Sequence, residues 1–306
     1  MNRKLVTVLT ASVLCLTAVV VLARCEKTSE DADQASQTAD MAANGAETAK
    51  SDGSVGMSSG ETDAAAETVS ASSTPTPAPT DSPTPSPSPS PSPSPTPTPV
   101  PHVVVLDPGH GGKWSGAWYN NISEKDITLK VANYARAYLE ANYKDVVVYL
   151  TREGDEILDS DIAVDLEKRV LFAADKGAEA FVSIHFNACD NHNLNGAEVW
   201  SSRRAHMKES TYALGRAVLD ELVALGLADR GVNTRKSNDM KDENGIAYDY
   251  YGIVRHCATY NVVGVIVEHC FMDNATDSVF VSTEEGLRSL GEADARGIAA
   301  YLGLEK

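Results

Sequence analysis

Thirteen of the fourteen prolines in this chain lie between Pro75 and Pro101, and that segregation decides where a core can form. Proline has no backbone N–H and a fixed φ, so a run of Ser-Pro and Thr-Pro pairs fits neither a helix interior nor a sheet. Residues 74–101 are predicted to be an extended polyproline-type spacer, about 3.1 Å per residue and roughly 80 Å long if straight. Before it, residues 26–73 are Ala, Ser, Thr, Asp and Glu with almost no aliphatic side chains, too little apolar surface to offset chain entropy. Residues 25–101 therefore read as a disordered linker, acidic and then Pro-rich. Only residues 102–306 can bury a core, and their length suits one domain.

Ahead of this tether, Asn2-Arg3-Lys4 precedes an uncharged apolar stretch from Leu5 to Ala23, the pattern of an export signal. The stretch approaches the ~20 residues of a membrane span, while Val21-Leu22-Ala23 suits a cleavage site. Residues 1–24 are read as a signal peptide or an N-terminal membrane anchor, and the protein is expected outside the cytoplasm. Arg24 stands where a lipoprotein signal has a small residue, which argues against lipidation of Cys25. With a net charge of -17 and no basic run in the sequence, no nucleic-acid partner is expected. Cys189, Cys257 and Cys270 have neither zinc-ribbon spacing nor the density of a disulfide framework, and free packed thiols are expected.

Strand and helix signals alternate from His102 onward. Val103–Leu106 is an apolar run that breaks into Asp-Pro-Gly-His-Gly-Gly, a strand buried on both faces ending in a tight turn. Helices are predicted over 123–142, with Ser123 and Asp126 as a capping pair, and over 165–176, 205–225, 246–258 and 284–302. Strands are predicted over 145–151, 180–186, 196–201 and 262–269. Such alternation implies an α/β fold with a largely parallel sheet covered by helices.

Three of these strands carry an ionisable residue at or near the carboxyl end: His110, His185 and Glu268. In a parallel sheet those ends share one edge, where open α/β sheets place their chemistry. Glu124 opens the helix after the first loop and can point back to the same edge. Two imidazoles and a carboxylate make a catalytic zinc set, and a further carboxylate would serve as general base. Each residue also has a plain structural reading: a hydrogen-bonded histidine at a strand end, an acid in a helix first turn, or an acid paired in the core. The glycines at 109–112 lack the Lys-Ser or Lys-Thr of a phosphate-binding loop.

The strings VVVLDPGHGG (103–112), SEKDITL (123–129), LEKRVLFAADKGAEAFVSIHFNA (166–188) and VGVIVEHCFMDN (263–274) together resemble the zinc-dependent N-acetylmuramoyl-L-alanine amidases of the type-3 amidase family. The resemblance spans essentially all of 102–306. It implies a mixed, mostly parallel sheet of about six strands flanked by helices. It also implies one zinc ion held by His110, Glu124 and His185, with Glu268 as the catalytic carboxylate. The implied reaction is hydrolysis of peptidoglycan at the amide between the lactyl group of N-acetylmuramic acid and L-alanine. Arg255 matches a segment where the family often has an arginine near the site, and it is a candidate for substrate binding beside the alternative of a helix ion pair. Asn187, two residues after His185 on the same strand face, is a second candidate, with orientation of its loop as the alternative.

Two departures stand out. His269-Cys270-Phe271 replaces the glycine common after the catalytic glutamate, and Asn261-Val262-Val263 replaces the usual leading proline. His269 is expected to face away from the metal, since strand neighbours point to opposite faces. Three rival readings remain: a zinc-containing but inactive wall-binding protein, a zinc peptidase acting within the stem peptide, and a cysteine hydrolase built from Cys189 and His192. The protein is expected to be a monomer that meets the membrane only through an uncleaved N-terminal segment.

Overall fold

The computed structural model describes residues 100–306. The signal or anchor over 1–24 and nearly all of the linker over 25–101 lie outside the described residues. Among the described residues, no helix is long and apolar enough to cross a membrane.

The chain begins with β1 (His102–Pro108), then a short hairpin of β2 (Trp118–Tyr119) and β3 (Ile122–Ser123) leading into helix α1 (Glu124–Asn142). Strand β4 (Val146–Leu150), helix α2 (Ile162–Lys176) and strand β5 (Ala180–Asn187) follow. After β6 (Ala197–Trp200) and α3 (Lys208–Ala224) come β7 (Asp229–Asn233), β8 (Lys236–Lys241) and β9 (Ala247–Asp249). Helix α4 (Gly252–Tyr260), strand β10 (Gly264–Phe271), the short α5 (Ser278–Val281) and α6 (Glu284–Leu302) complete the described elements.

Six strands form the central sheet in the order β4-β1-β5-β10-β6-β7. Only the β10–β6 pairing is antiparallel. The sheet is thus mixed and mostly parallel, as the resemblance implies. Alternate residues of β1 feed two separate cores, as the two-residue period of a strand requires. Val104 and Leu106 join residues of α1, α3 and α6, whereas Val105 joins residues of α2 and α4. Fully burying side chains of this size contributes about 1.5–3 kcal/mol each before entropy is charged against it, so both faces of the sheet need their helices.

Several local expectations give way to tertiary contacts. The span 246–258 is not one helix. Tyr250 donates its backbone N–H to the Arg235 carbonyl at 2.9 Å, which ties 247–249 into a hairpin with β8 and delays α4 until Gly252. Helix α2 starts earlier than predicted because the Asp161 side chain accepts from the N–H groups of Ala163 and Val164. It stops at Gly177, in the left-handed region at φ 68°. Ser123 precedes α1 as expected but makes no side-chain cap; its hydroxyl donates to the Ser115 carbonyl at 3.0 Å instead. The three cysteines of the domain are free and buried.

Candidate metal centre

Strand β1 ends in a loop whose backbone is held from below. His110 has φ +64°, a conformation uncommon for a residue with a side chain, and two buried arginines fix it there. Arg152 donates from Nε to the Pro108 carbonyl and from Nη2 to the Gly109 carbonyl, both at 2.9 Å. Arg169, on α2, donates from Nη1 to the Pro108 carbonyl at 3.0 Å and from Nη2 to the His110 carbonyl at 2.8 Å. The charge of Arg169 is met by Asp107 at 2.9 Å and Asp165 at 2.6 Å. Asp107 also accepts from the hydroxyls of Ser183 and Thr151. Burial opposes the Asp107 charge, but Arg169 and the two hydroxyls outweigh it and hold the carboxyl below its ordinary range.

The β2–β3 hairpin delivers Glu124 as the first residue of α1, almost fully buried. One of its oxygens, Oε1, lies 3.0 Å from His110 Nε2 and 3.1 Å from His185 Nδ1 and accepts the Phe186 N–H at 3.0 Å. Its other oxygen accepts the Ala117 N–H at 2.8 Å. Burial raises the proton affinity of this carboxyl, yet the two imidazoles beside it prevail and hold it well below the usual carboxylate range. One potential donor atom from each of His110, Glu124 and His185 lies within 4.8 Å of the others.

Two glycines make room for these side chains. A Cβ on Gly109 would stand 2.4 Å from His185 Cε1, and a Cβ on Gly116 would stand 2.4 Å from Glu124 Oε2 and 2.7 Å from His110 Cδ2. Two imidazole nitrogens and one carboxylate oxygen on a prebuilt frame are a donor set that fits a divalent metal ion.

Glu268 belongs to the same cleft. On β10 it is the register partner of His185 on β5 and of Glu198 on β6, so all three project from one face of the sheet. It is buried and lines the cleft with His110, His185, Trp114 and Tyr251. The four residues singled out for chemistry therefore converge.

The other two candidates are hydrogen-bonded within the protein. Asn187 donates from Nδ2 to Glu198 Oε1 at 2.9 Å. Arg255 is buried on α4 and donates to the carbonyls of Asp249 and Tyr250, at 3.3 Å and 3.2 Å, bracing the segment that presents Tyr251. His269 faces the opposite side of the sheet, as expected, and pairs with Asp294 of α6. His192 is paired with Asp273 at 2.6 Å, while the Cys189 thiol contacts Asn191.

Asp107, Arg152, Arg169 and Glu198 are missing from the candidates read in the sequence. A signal existed for one of them: Arg169 is three residues after Leu166, on the stripe of α2 that faces inward, where an unpaired charge is costly.

A family profile described as N-acetylmuramoyl-L-alanine amidase matches residues 104–300. The endolysin of Bacillus phage SPP1 is 32% identical over 208 residues, covering 67% of this chain and 67% of that protein. The germination-specific N-acetylmuramoyl-L-alanine amidase of Bacillus subtilis (strain 168) is 38% identical over 209 residues, 65% of this chain and 79% of that protein. Among solved structures, the N-acetylmuramoyl-L-alanine amidase AmiC2 of Nostoc punctiforme is similar with a TM-score of 0.53 at 32% identity, over 66% of this chain and 97% of that one.

Proposed function

Because this chain belongs to the N-acetylmuramoyl-L-alanine amidase family of peptidoglycan hydrolases, we propose that residues 102–306 are a zinc-dependent catalytic domain that severs the muramoyl-L-alanine amide. The observation that supports this reading best is the meeting of His110, Glu124 and His185 around one point with Glu268 on the same face of the cleft. Those three residues would hold one zinc ion. When bound, zinc supplies Lewis acidity, polarising a carbonyl oxygen and lowering the pKa of a water toward ~7.

The protein side of the reaction falls to Glu268. Its carboxylate takes a proton from the attacking water as the water oxygen bonds to the lactyl carbonyl carbon, then passes that proton to the amide nitrogen. The C–N bond breaks with its electron pair going to nitrogen, so the glycan keeps a carboxylate and the peptide gains a new amino terminus at alanine. The buried position of Glu268 keeps bulk water from competing for the proton. Arg255 and Asn187 serve this site as positioning residues, Arg255 by bracing the segment before Tyr251 and Asn187 by fixing Glu198.

Residues 1–24 would act as export signal or membrane anchor and residues 25–101 as tether, so that a monomeric domain of net negative charge is retained near an anionic wall by its N-terminal segment rather than by attraction. The test is mass analysis of purified wall after digestion by zinc-loaded protein. New alanine amino termini are expected from the wild type, none from Glu268→Gln, and none after metal removal by a chelator. New D-amino-acid termini would instead identify a peptidase acting within the stem peptide.

A further inference from the structure

Glu198 adds a second carboxylate beside Glu268 on the face of the sheet where the proposed chemistry takes place. It is the antiparallel register partner of Glu268, and directly opposed residues of such a pair have Cβ atoms about 4.5–5.5 Å apart on one face. The Glu198 side chain is 12% exposed. Its Oε1 accepts from Asn187 Nδ2 at 2.9 Å, and its Oε2 lies 3.7 Å from Arg230 Nε. Because the sheet order is β5-β10-β6, the Asn187–Glu198 hydrogen bond reaches over β10. Asn187 is level with Phe271, so the link crosses β10 just beyond Glu268, on the side toward the sheet edge.

Two carboxylates facing each other across a strand pair repel, and Glu198 is held there by its contacts with Asn187 and Arg230. They orient the group without filling it, since an ionised carboxylate offers about four acceptor positions. The reaction generates a cation close by. Once the amide nitrogen of the tetrahedral adduct takes the proton from Glu268, it carries two hydrogens, two carbon bonds and a positive charge. It keeps that charge until the C–N bond breaks and the electron pair returns to nitrogen. The amine then takes the proton of the new carboxylic acid, so one water and one amide give one carboxylate and one ammonium.

Resting on the amidase reading, we propose that Glu198 is a further catalytic residue, the counter-charge for the protonated leaving nitrogen of the stem peptide. A fixed charge that meets a positive nitrogen present only from the adduct onward stabilises the transition state more than the neutral substrate. Asn187 and Arg230 hold the Glu198 side chain in place on that face.

The test compares leaving groups in the full-length zinc-loaded chain. One substrate is an N-acetylmuramoyl-L-alanyl peptide, which departs as an amine. The other is the 4-nitrophenyl ester of N-acetylmuramic acid, which departs as a phenolate and never bears a positive charge. Glu198→Gln should lower kcat for the peptide on the order of 100-fold, the low end for loss of one preorganised transition-state contact, and leave the ester rate essentially unchanged. Glu198→Asp should recover part of the peptide rate. Metal content and the unfolding midpoint of Glu198→Gln, measured alongside, should match the wild type. Equal losses on both substrates would assign Glu198 to holding the fold or Glu268 and overturn the proposal, as would no loss on either. A wild type that cleaves the ester but not the peptide would overturn the amidase reading itself, an outcome seen without any variant.

Discussion

His269 and Asp294 meet in the dry interior, with Nε2 of the imidazole 2.8 Å from a carboxylate oxygen and neither side chain exposed. The other ring nitrogen is 3.1 Å from the His185 carbonyl. Both partners are acceptors, so the ring donates from both nitrogens. Burial works against that charge, but Asp294 outweighs it and raises the proton affinity of His269. Removing one partner of such a pair costs far more than removing both. Asp294→Ala is expected to lower the unfolding free energy by about 3–5 kcal/mol, and the double variant His269→Leu, Asp294→Leu to lose less. Urea unfolding of the metal-free chain as a double-mutant cycle measures the difference.

Arg169 links α2 to the backbone of the first proposed ligand. Arg169→Met leaves Asp107 and Asp165 buried without their cation and frees the His110 carbonyl. The expected loss is about 3–5 kcal/mol of stability, with zinc affinity reduced about 10- to 100-fold. Competition against a chromophoric chelator reads the affinity, and the stability comes from the metal-free protein. Arg169→Lys should restore little, because an ammonium cannot reproduce the fork that reaches Pro108, His110 and Asp165 together.

Gly109→Ala separates site geometry from stability. The added methyl would overlap the His185 ring, with three ring atoms within 2.8 Å of the new carbon. Relief by moving the imidazole costs about 1–3 kcal/mol of fold stability but misplaces a ligand. Zinc affinity should therefore fall at least about tenfold, with wall digestion at limiting zinc falling in step.

Acid titration should reveal Asp107. Its folded carboxyl keeps its charge to lower pH than the unfolded chain does, so the unfolded state binds the extra proton between the two values. The stability from this group is complete above the unfolded pKa of about 3.9 and is lost as pH falls through the lower folded value. Asp107→Asn should be less stable near neutrality and should lose less additional stability between about pH 5 and about pH 2. Urea midpoints across that range measure both slopes.

Three of the four proposed chemical residues were legible because they close an apolar run: His110 after Val103–Leu106, His185 within 180–186, and Glu268 after Val265–Val267; Glu124 was legible as the first acid of a helix. The supporting charges were not. Asp107 and Arg169 are neighbours only after β1 and α2 pack, and no spacing along the chain encodes that pair. Strands β7 and β8, with the sequences DRGVN and KSNDMK, are polar edge or hairpin strands with too little apolar alternation to register. Glu198 falls inside a predicted strand, but only the antiparallel setting of β6 brings it level with Glu268.

The helix that carries Asp294 follows all six strands of the sheet in the chain. His269 on β10 therefore has no acceptor for its Nε2 until the helix bearing Asp294, 25 residues further on, packs against the sheet. The floor beneath His185 is thus closed by an element outside the sheet. A chain whose strands have paired can hold every proposed ligand and the proposed base in register while the opposite face of the sheet is still open, so the domain's competence to cut waits on the docking of α6.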